Sequence, residues 1–537
     1  YIDNSCIYYL YGKEIFMRSL LTGNEAIALG FYLNGGSFAS GYPGTPSTEI
    51  IENLTKYQNK VYTEWAPNEK VAVESAIGAS YSGIRSLASM KHVGVNVAAD
   101  PLATVTYTGV NAGMIIVTAD DPGIHSSQNE QDNRNYSRLL KIPMLEPSSS
   151  QECLDFIQIA FELSEKLKLP IFIRLTTRIC HSKTIVEHSI TRTSFQLQIE
   201  KSRRFDPIPS ISRVLHSNLE NKLLQISNLN DSRFFKIEQN SNKIGIITSG
   251  MSYNYVKEAF GDKFSVLKLN LLFPITSKVI LDFSKAVEQL FIIEELDSFL
   301  EEEISKLGVH CIGKELFPKT GELSANIIET CLANPSVPYV SSNDKHSRQA
   351  NSFCKGCFYN TFFDVLSTYN NIIISSDIGC YSMSGEAPFN AKDIAICMGA
   401  GFSIAHGIQK CNNLLSRRER VIGIMGDSTF FHSGITSLIS CVYNNSNPIL
   451  VILDNQSTSM TGLQENPGTG KNLNGEPSSK IELQGLLKAL NVENILEFNP
   501  FSKQSTQEAL NWALEISSLV VLIARGKCIL KSNKDKR

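Results

Sequence analysis

Hydrophobic positions in this chain fall into short continuous runs separated by longer stretches in which apolar residues recur every three or four places. From about 17 to 180 the runs at 37–39, 114–119 and 171–175 read as buried strands, and 24–33 and 152–167 as amphipathic helices. That alternation predicts a parallel α/β sheet. From 181 to 242 the pattern dissolves into Ser, Asn, Lys and Arg, which predicts a linker or variable insertion. A smaller α/β unit follows at 243–335, with strands at 244–248, 265–268 and 290–294, and a second linker is expected at 340–350. The rhythm returns at 351–532, with strands at 372–375, 421–425, 448–454 and 519–524. The expected fold is therefore α/β, with two doubly wound parallel-sheet domains, 17–190 and 351–532, flanking an insertion at 191–242 and a smaller domain at 243–335.

Composition narrows the classes. Hydrophobic residues make up 42% and charged residues 19%, the balance of a globular chain, and a formal charge of −3 carries no footprint for nucleic acid or anionic lipid. No apolar run has the length of a membrane span. No secretory signal is visible, and the pattern starts after Met17, so residues 1–16 are set aside. Twelve cysteines without a signal suit thiols or metal ligands in a reducing, cytoplasmic setting.

The strongest candidate chemistry lies at two strand ends. Gly426-Asp427-Ser428 closes the strand at 421–425, and Asp454-Asn455 closes the next, with Asn455 28 positions after Asp427. Mg²⁺ takes hard oxygen ligands and completes its shell from bound phosphates. Two strand ends joined by a crossover helix supply such oxygens side by side: Asp427, Asn455 and the carbonyl of Ser457. Gly426 permits a close turn, and a helix expected to begin near Ser433 aims its N-terminus at a diphosphate. Singly, Gly-Asp-Ser and Asp-Asn-Gln are also ordinary strand exits. Together, with Gly399-Ala400-Gly401 letting the backbone approach a ring, they point to thiamine diphosphate (ThDP). A nucleotide P-loop at Gly468-Thr469-Gly470-Lys471 fails, because Glu465 and Asn472 stand where Gly and Ser/Thr are needed.

ThDP chemistry also needs a carboxyl beside the aminopyrimidine. Glu69, followed nine residues later by Gly78, is the candidate; Glu64 and Glu74 are alternatives, and all three also read as surface carboxylates. Gly41-Tyr42-Pro43-Gly44-Thr45-Pro46-Ser47 is a rigid turn that presents Thr45 to substrate or cofactor. The polar run after Asp120 offers His125 as an acid/base or substrate contact, or as an ordinary loop histidine.

Gly23-Asn24-Glu25-Ala26, the run 41–47, the run from Asp121 to Arg134, Glu294-Glu295-Leu296-Asp297, Thr320-Gly321-Glu322-Leu323, and Asp454-Asn455 through Met460-Thr461-Gly462 together resemble the ThDP-binding alpha subunit of indolepyruvate:ferredoxin oxidoreductase, from about 17 to 530. The resemblance implies oxidative decarboxylation of aryl 2-oxo acids to acyl-CoA, with electrons passed to ferredoxin. It also implies a smaller beta subunit as partner in a dimer or heterotetramer, and no nucleic-acid or membrane partner. The 17–190 and 351–532 domains would be the pyrimidine-binding and diphosphate-binding domains, with ThDP at their interface within one chain or across a dimer; 243–335 would resemble a transketolase C-terminal domain. Glu69, Thr45 and His125 become catalytic candidates. Gly426, Asp427, Ser428, Asn455, Gly399, Gly401, Asp377 and Gly379 become cofactor-binding candidates.

In the wider superfamily a Cys-x-x-Cys, a Cys after a Gly-rich strand exit and a Cys after the last strand hold an iron–sulfur cluster. Cys354, Cys357, Cys380 and Cys528 match those places and imply one [4Fe–4S] cluster; a Cys-x-x-Cys alone also fits a zinc site, a redox pair or core thiols. Two departures stand out. The family's alpha subunit continues into a ferredoxin-like tail, which Lys531–Arg537 does not resemble, so either electron exit is expected through another chain or the sequence is truncated. Phe358-Tyr359-Asn360 stands where the family has Pro-His-Arg, which bears on substrate preference. The alternatives are a nonoxidative ThDP decarboxylase releasing an aldehyde, and a catalytically idle ThDP-fold subunit.

Overall fold

The computed structural model of the protein describes residues 7–11, 14–333 and 353–534. The linker expected at 340–350 lies outside them. The chain divides into two compact units, one running to Asp344 and the other starting at Lys345.

The first unit is built on a seven-stranded sheet in the order Leu271–Phe273, Met144–Leu145, Ile171–Thr176, Met114–Asp120, Ser86–Lys91, Phe38–Gly41, Tyr62–Trp65. All neighbours are parallel except the first pair. Every residue of Met114–Asp120 and Ile171–Thr176 is buried, which is why these strands read as continuous apolar runs. Helix Gly23–Leu33 opens with a reciprocal cap: Glu25 N donates to Thr22 Oγ1 at 3.1 Å, and Thr22 N donates to the Glu25 carboxylate at 2.9 Å.

A four-stranded sheet carries the smaller fold of this unit, in the order Phe235–Glu238, Ser265–Leu269, Ile244–Ser249, Gln289–Ile293. Its first pair is antiparallel and the others are parallel.

Two expectations change here. The stretch before Met17 is not outside the fold: Ile7–Tyr11 pairs antiparallel with Glu14–Thr22, which pairs antiparallel with Lys183–Ser189. Its Ile, Tyr and Leu residues have high strand propensity. The polar segment at 191–242 is more than a linker, since it contains helix Pro209–Ser227 and strand Phe235–Glu238. That helix buries only Leu219, Leu223 and Ile226, a narrow stripe at helical spacing that is diluted by the polar residues around it.

The second unit is a six-stranded, all-parallel sheet in the order Ile394–Ala395, Ile372–Ser376, Arg420–Gly426, Ile449–Asp454, Val520–Arg525, Asn494–Phe498. Its register decides the chemistry at one end. Gly426 pairs with Leu453, so Asp427 and Asp454 leave the sheet side by side, and Asp454 pairs with Arg525. The helix expected near Ser433 begins six residues earlier, at Asp427: Asp427–Thr429 is α-helical, Phe430–Gly434 forms a π turn, and Ile435–Tyr443 continues as α-helix. The wide turn breaks the apolar period that locates a helix start.

Candidate functional site

At the carboxyl ends of the second unit's strands, Asp427 and Asp454 are both buried. Burial first, then the Asp454 charge, push the Asp427 carboxyl up to about 7, while Asn466 Nδ2 donates to its Oδ2 at 3.0 Å. Asp454 is also raised by burial, against the pull of Arg525, whose Nη1 lies 3.0 Å from Asp454 Oδ2. A divalent cation relieves both the repulsion and the desolvation of such a pair.

Beside them, Asn455 Oδ1 accepts from Ser457 N at 3.0 Å and Asn455 Nδ2 donates to the Tyr359 hydroxyl at 2.9 Å. Oδ1 keeps a second lone pair, and the buried Ser457 Oγ has no hydrogen-bond partner. Ser428, whose Oγ accepts from Thr458 Oγ1 at 2.8 Å, sits in the first turn after Asp427, where the Asp427 and Ser428 main chain faces the Asp427 carboxyl. A Cβ on Gly426 would stand 3.1 Å from the Tyr381 ring, so a larger residue there requires that ring to give way. A carboxylate, a carboxamide oxygen and a main-chain carbonyl form a hard donor set that fits Mg²⁺ with a diphosphate completing its shell.

Asp377 is fully buried at the end of strand Ile372–Ser376, and burial pushes its carboxyl up to about 8. It accepts from the Tyr381 hydroxyl, from Gly399 N at 3.1 Å and from Gly401 N. Gly379 lies against Tyr381, whose ring would stand 2.4 Å from a Cβ there. Gly399 and Gly401, expected to let the backbone approach a ligand ring, also make room for protein. A Cβ on Gly401 would meet Ile424 O at 2.6 Å, and one on Gly399, at φ +85°, would meet Ser433 Oγ at 2.3 Å. They let helix Ala400–Leu414 lie close on its sheet.

The four matched cysteines come together. Cys357 N donates to Cys354 O at 2.9 Å, and Cys528 N donates to Asn455 O at 3.0 Å. Burial, then the neighbouring Cys528 and Cys354, push the Cys357 thiol up to about 11. Burial, then Cys528, Cys357 and Cys354, push Cys380 up to about 12. Among the described residues no three His, Cys, Asp or Glu side chains gather tightly enough to hold a single metal ion.

In the first unit, Glu69 starts helix Glu69–Tyr81 behind an Asn68 cap and is buried, with Gly94 against it: a Cβ on Gly94 would fall 2.7 Å from Glu69 Cγ. Glu64 accepts from Ser40 Oγ at 3.0 Å and is half-buried, whereas Glu74 is exposed and paired with Lys70. Gly78 meets nothing within reach of a Cβ, so the glycine that shapes the Glu69 pocket is Gly94. Thr45 is half-buried in its turn, and Asn24 Nδ2 holds the next carbonyl, Pro46 O, at 2.8 Å. Sequence reasoning missed Lys91 at the same sheet edge. Its Cβ lies 2.9 Å from where a Gly44 Cβ would stand, and burial pushes its amine down to about 8.

His125 is drawn to the Thr320–Leu323 motif, with Nε2 3.0 Å from Glu322 Oε2, and Arg178 binds the same carboxylate at 2.7 Å. Other motif residues meet in a buried ion network between the unit's two larger sheets. Arg134 binds Asp132 at 2.6 Å and Glu294 at 2.5 Å, and donates to Glu295 O at 2.6 Å; Arg174 binds Asp120 at 2.8 Å and also Glu146, which accepts from Ser249 Oγ at 2.6 Å. The Asp121–Arg134 and Glu294–Asp297 motifs thus include a structural clasp. Tyr381 and Asn466 were also missed, and only Tyr381, near Asp377 in sequence, had a local signal; Tyr359 stood out in sequence as a departure bearing on substrate preference, not as a partner of Asn455.

Comparison with known proteins gives two family matches. Residues 30–219 match the thiamine-diphosphate-binding domain of pyruvate flavodoxin/ferredoxin oxidoreductases, and residues 377–524 match the C-terminal TPP-binding domain of thiamine pyrophosphate enzymes. The chain is 36% identical to indolepyruvate oxidoreductase subunit IorA of Archaeoglobus fulgidus, covering 98% of this chain and 88% of the relative. It is 35% identical to the subunit of the same name from Methanothermobacter marburgensis, covering 96% and 87%. Among solved structures it is similar to 2-oxoglutarate:ferredoxin oxidoreductase from Magnetococcus marinus at 17% identity and TM-score 0.48, over 59% of this chain and 65% of that one.

Proposed function

This chain belongs to the family of indolepyruvate oxidoreductase subunit IorA, ThDP-dependent 2-oxo acid:ferredoxin oxidoreductases, and from that premise we propose that it catalyses oxidative decarboxylation of aryl 2-oxo acids. Indolepyruvate and related arylpyruvates would be the substrates, CoA the acyl acceptor and ferredoxin the electron acceptor, with a beta subunit as partner. The observation that supports oxidation over simple decarboxylation is the gathering of Cys354, Cys357, Cys380 and Cys528 beside Asn455, the strand-end residue whose carbonyl holds Cys528 N at 3.0 Å.

When bound, ThDP supplies the nucleophilic carbon and the electron sink that loss of CO₂ from a 2-oxo acid requires. Asp427, Asn455 and the Ser457 carbonyl would hold Mg²⁺, and Ser428 and the turn it opens would bind the diphosphate. Glu69 would hold and return a proton at its carboxylate beside the aminopyrimidine, its position set by Gly94. Thr45 and Lys91, from one sheet edge, would orient the substrate's carboxylate, Lys91 as the cation. His125, held by Glu322, would contact substrate from the loop it anchors. The cysteine set would hold one [4Fe–4S] cluster that removes electrons singly.

The test is an anaerobic preparation of the chain with its beta subunit, assayed for indolepyruvate-dependent viologen reduction with and without CoA, alongside aldehyde release. CoA-dependent dye reduction is expected. Aldehyde without dye reduction would make the chain a nonoxidative decarboxylase, and neither product would make it an idle subunit.

A further inference from the structure

Tyr359 touches both halves of the second unit's corner. It stands in the first turn of helix Phe358–Leu366, which Cys357 precedes, and its hydroxyl accepts a 2.9 Å hydrogen bond from Asn455 Nδ2. The side chain is 3% exposed and wedged edge-on between Phe358 and Tyr381, with ring centroids 4.5 and 6.2 Å away. It has little freedom to leave that bond.

Asn455 needs such a partner. A carboxamide can turn over, and turned over it would present N–H groups where a metal ligand must present a lone pair. Ser457 N, at 3.0 Å, selects Oδ1 on one side, and the Tyr359 hydroxyl anchors the Nδ2 side at 2.9 Å. We propose that Tyr359 is a positioning residue that locks the Asn455 carboxamide with Oδ1 facing Mg²⁺. Asn455 is also tied to the cysteine set through its carbonyl, which accepts from Cys528 N. The proposal rests on the reading of Asp427 and Asn455 as Mg²⁺ ligands.

Calorimetric titration of Mg²⁺ into the full chain at fixed excess ThDP tests it, using wild type, Tyr359→Phe, Tyr359→Leu and Asp427→Asn. Removing a hydrogen bond that orients a metal ligand costs about 10–100-fold in metal affinity, and Tyr359→Phe is expected to fall in that range. In an Asn455→Asp background, where either face of the side chain offers oxygen, Tyr359→Phe should cost no further affinity; an equal cost in both backgrounds, as a purely structural role would give, overturns the proposal. Unchanged affinity in Tyr359→Phe, with the titration abolished in Asp427→Asn, overturns the proposal and leaves the Mg²⁺ reading intact. An unchanged titration in Asp427→Asn overturns both. Should Tyr359→Phe fail to fold, Tyr359→Leu is read in the same two backgrounds: a loss confined to the Asn455 background supports the proposal, and an equal loss in both overturns it.

Discussion

Burial and the adjacent Asp454 lift the Asp427 carboxyl to about 7 in the metal-free protein, so protonated and ionised forms coexist near neutral pH and the proton dominates below it. Mg²⁺ must displace that proton, so below pH 7 the apparent Mg²⁺ affinity should fall by about tenfold per pH unit, with one proton released per ion bound. The stability of the metal-free protein should show the opposite trend. A carboxyl whose folded pKa lies above its unfolded value of about 3.9 favours the folded state at low pH and loses that contribution as pH rises through the folded pKa. Asp377, at about 8, acts in the same direction. Melting temperature measured without Mg²⁺ should therefore drop between pH 5 and pH 8, and a rise over that interval would contradict the burial of these groups.

Glu69 makes a second residue-scale case. Gly94→Ala places a methyl 2.7 Å from its Cγ and 2.8 Å from its Oε1, and such overpacking costs about 1–3 kcal/mol. The expected outcome is a folded protein whose decarboxylation rate falls at least tenfold, measured as CO₂ release. An unaltered rate would remove Glu69 from the proton-handling role.

At the scale of elements, helix Ala400–Leu414 depends on Gly401. A Cβ there would stand 2.6 Å from Ile424 O, main chain that cannot rotate away, so Gly401→Ala should destabilise the protein by about 1–3 kcal/mol in denaturant unfolding. The same glycine shows where sequence reasoning reaches its limit. Its place in a Gly-Ala-Gly run was plain, but whether it made room for a ligand or for a strand depended on a partner more than 20 positions away. The parallel strands were legible because both their faces are buried and they read as unbroken apolar runs, as in Met114–Asp120 and Ile449–Asp454. Helix Pro209–Ser227 was not, because three buried residues in nineteen leave a segment that averages polar. The early helix start at Asp427 was hidden by its π turn. Asp427 and Asn455 could be read from strand ends alone. Asn466 could not, since it reaches this corner across the fold and belongs to no motif, and Tyr359, though it stood out beside Cys357, gave no sign of its bond to Asn455.

For the molecule as a whole, the motifs that carry the family resemblance divide between chemistry and architecture. Asp132, Arg134 and Glu294 are at most 5% exposed and bind one another, fastening the four-stranded sheet to the seven-stranded one within the first unit. Removing one member of such a network leaves an uncompensated buried charge, at a cost of about 3–5 kcal/mol. Arg134→Met should show that loss in denaturant unfolding. A loss under about 1 kcal/mol, the size of an exposed pair, would mean that the clasp is solvated.

On the proposed function, Asp427 would form the Mg²⁺ and diphosphate corner of a ThDP enzyme. Calorimetric binding of ThDP to the full chain, with and without Mg²⁺, in wild type and Asp427→Ala tests this. One ThDP per chain is expected, bound only with Mg²⁺ and lost in Asp427→Ala. Mg²⁺-dependent binding of the same strength in Asp427→Ala would contradict it.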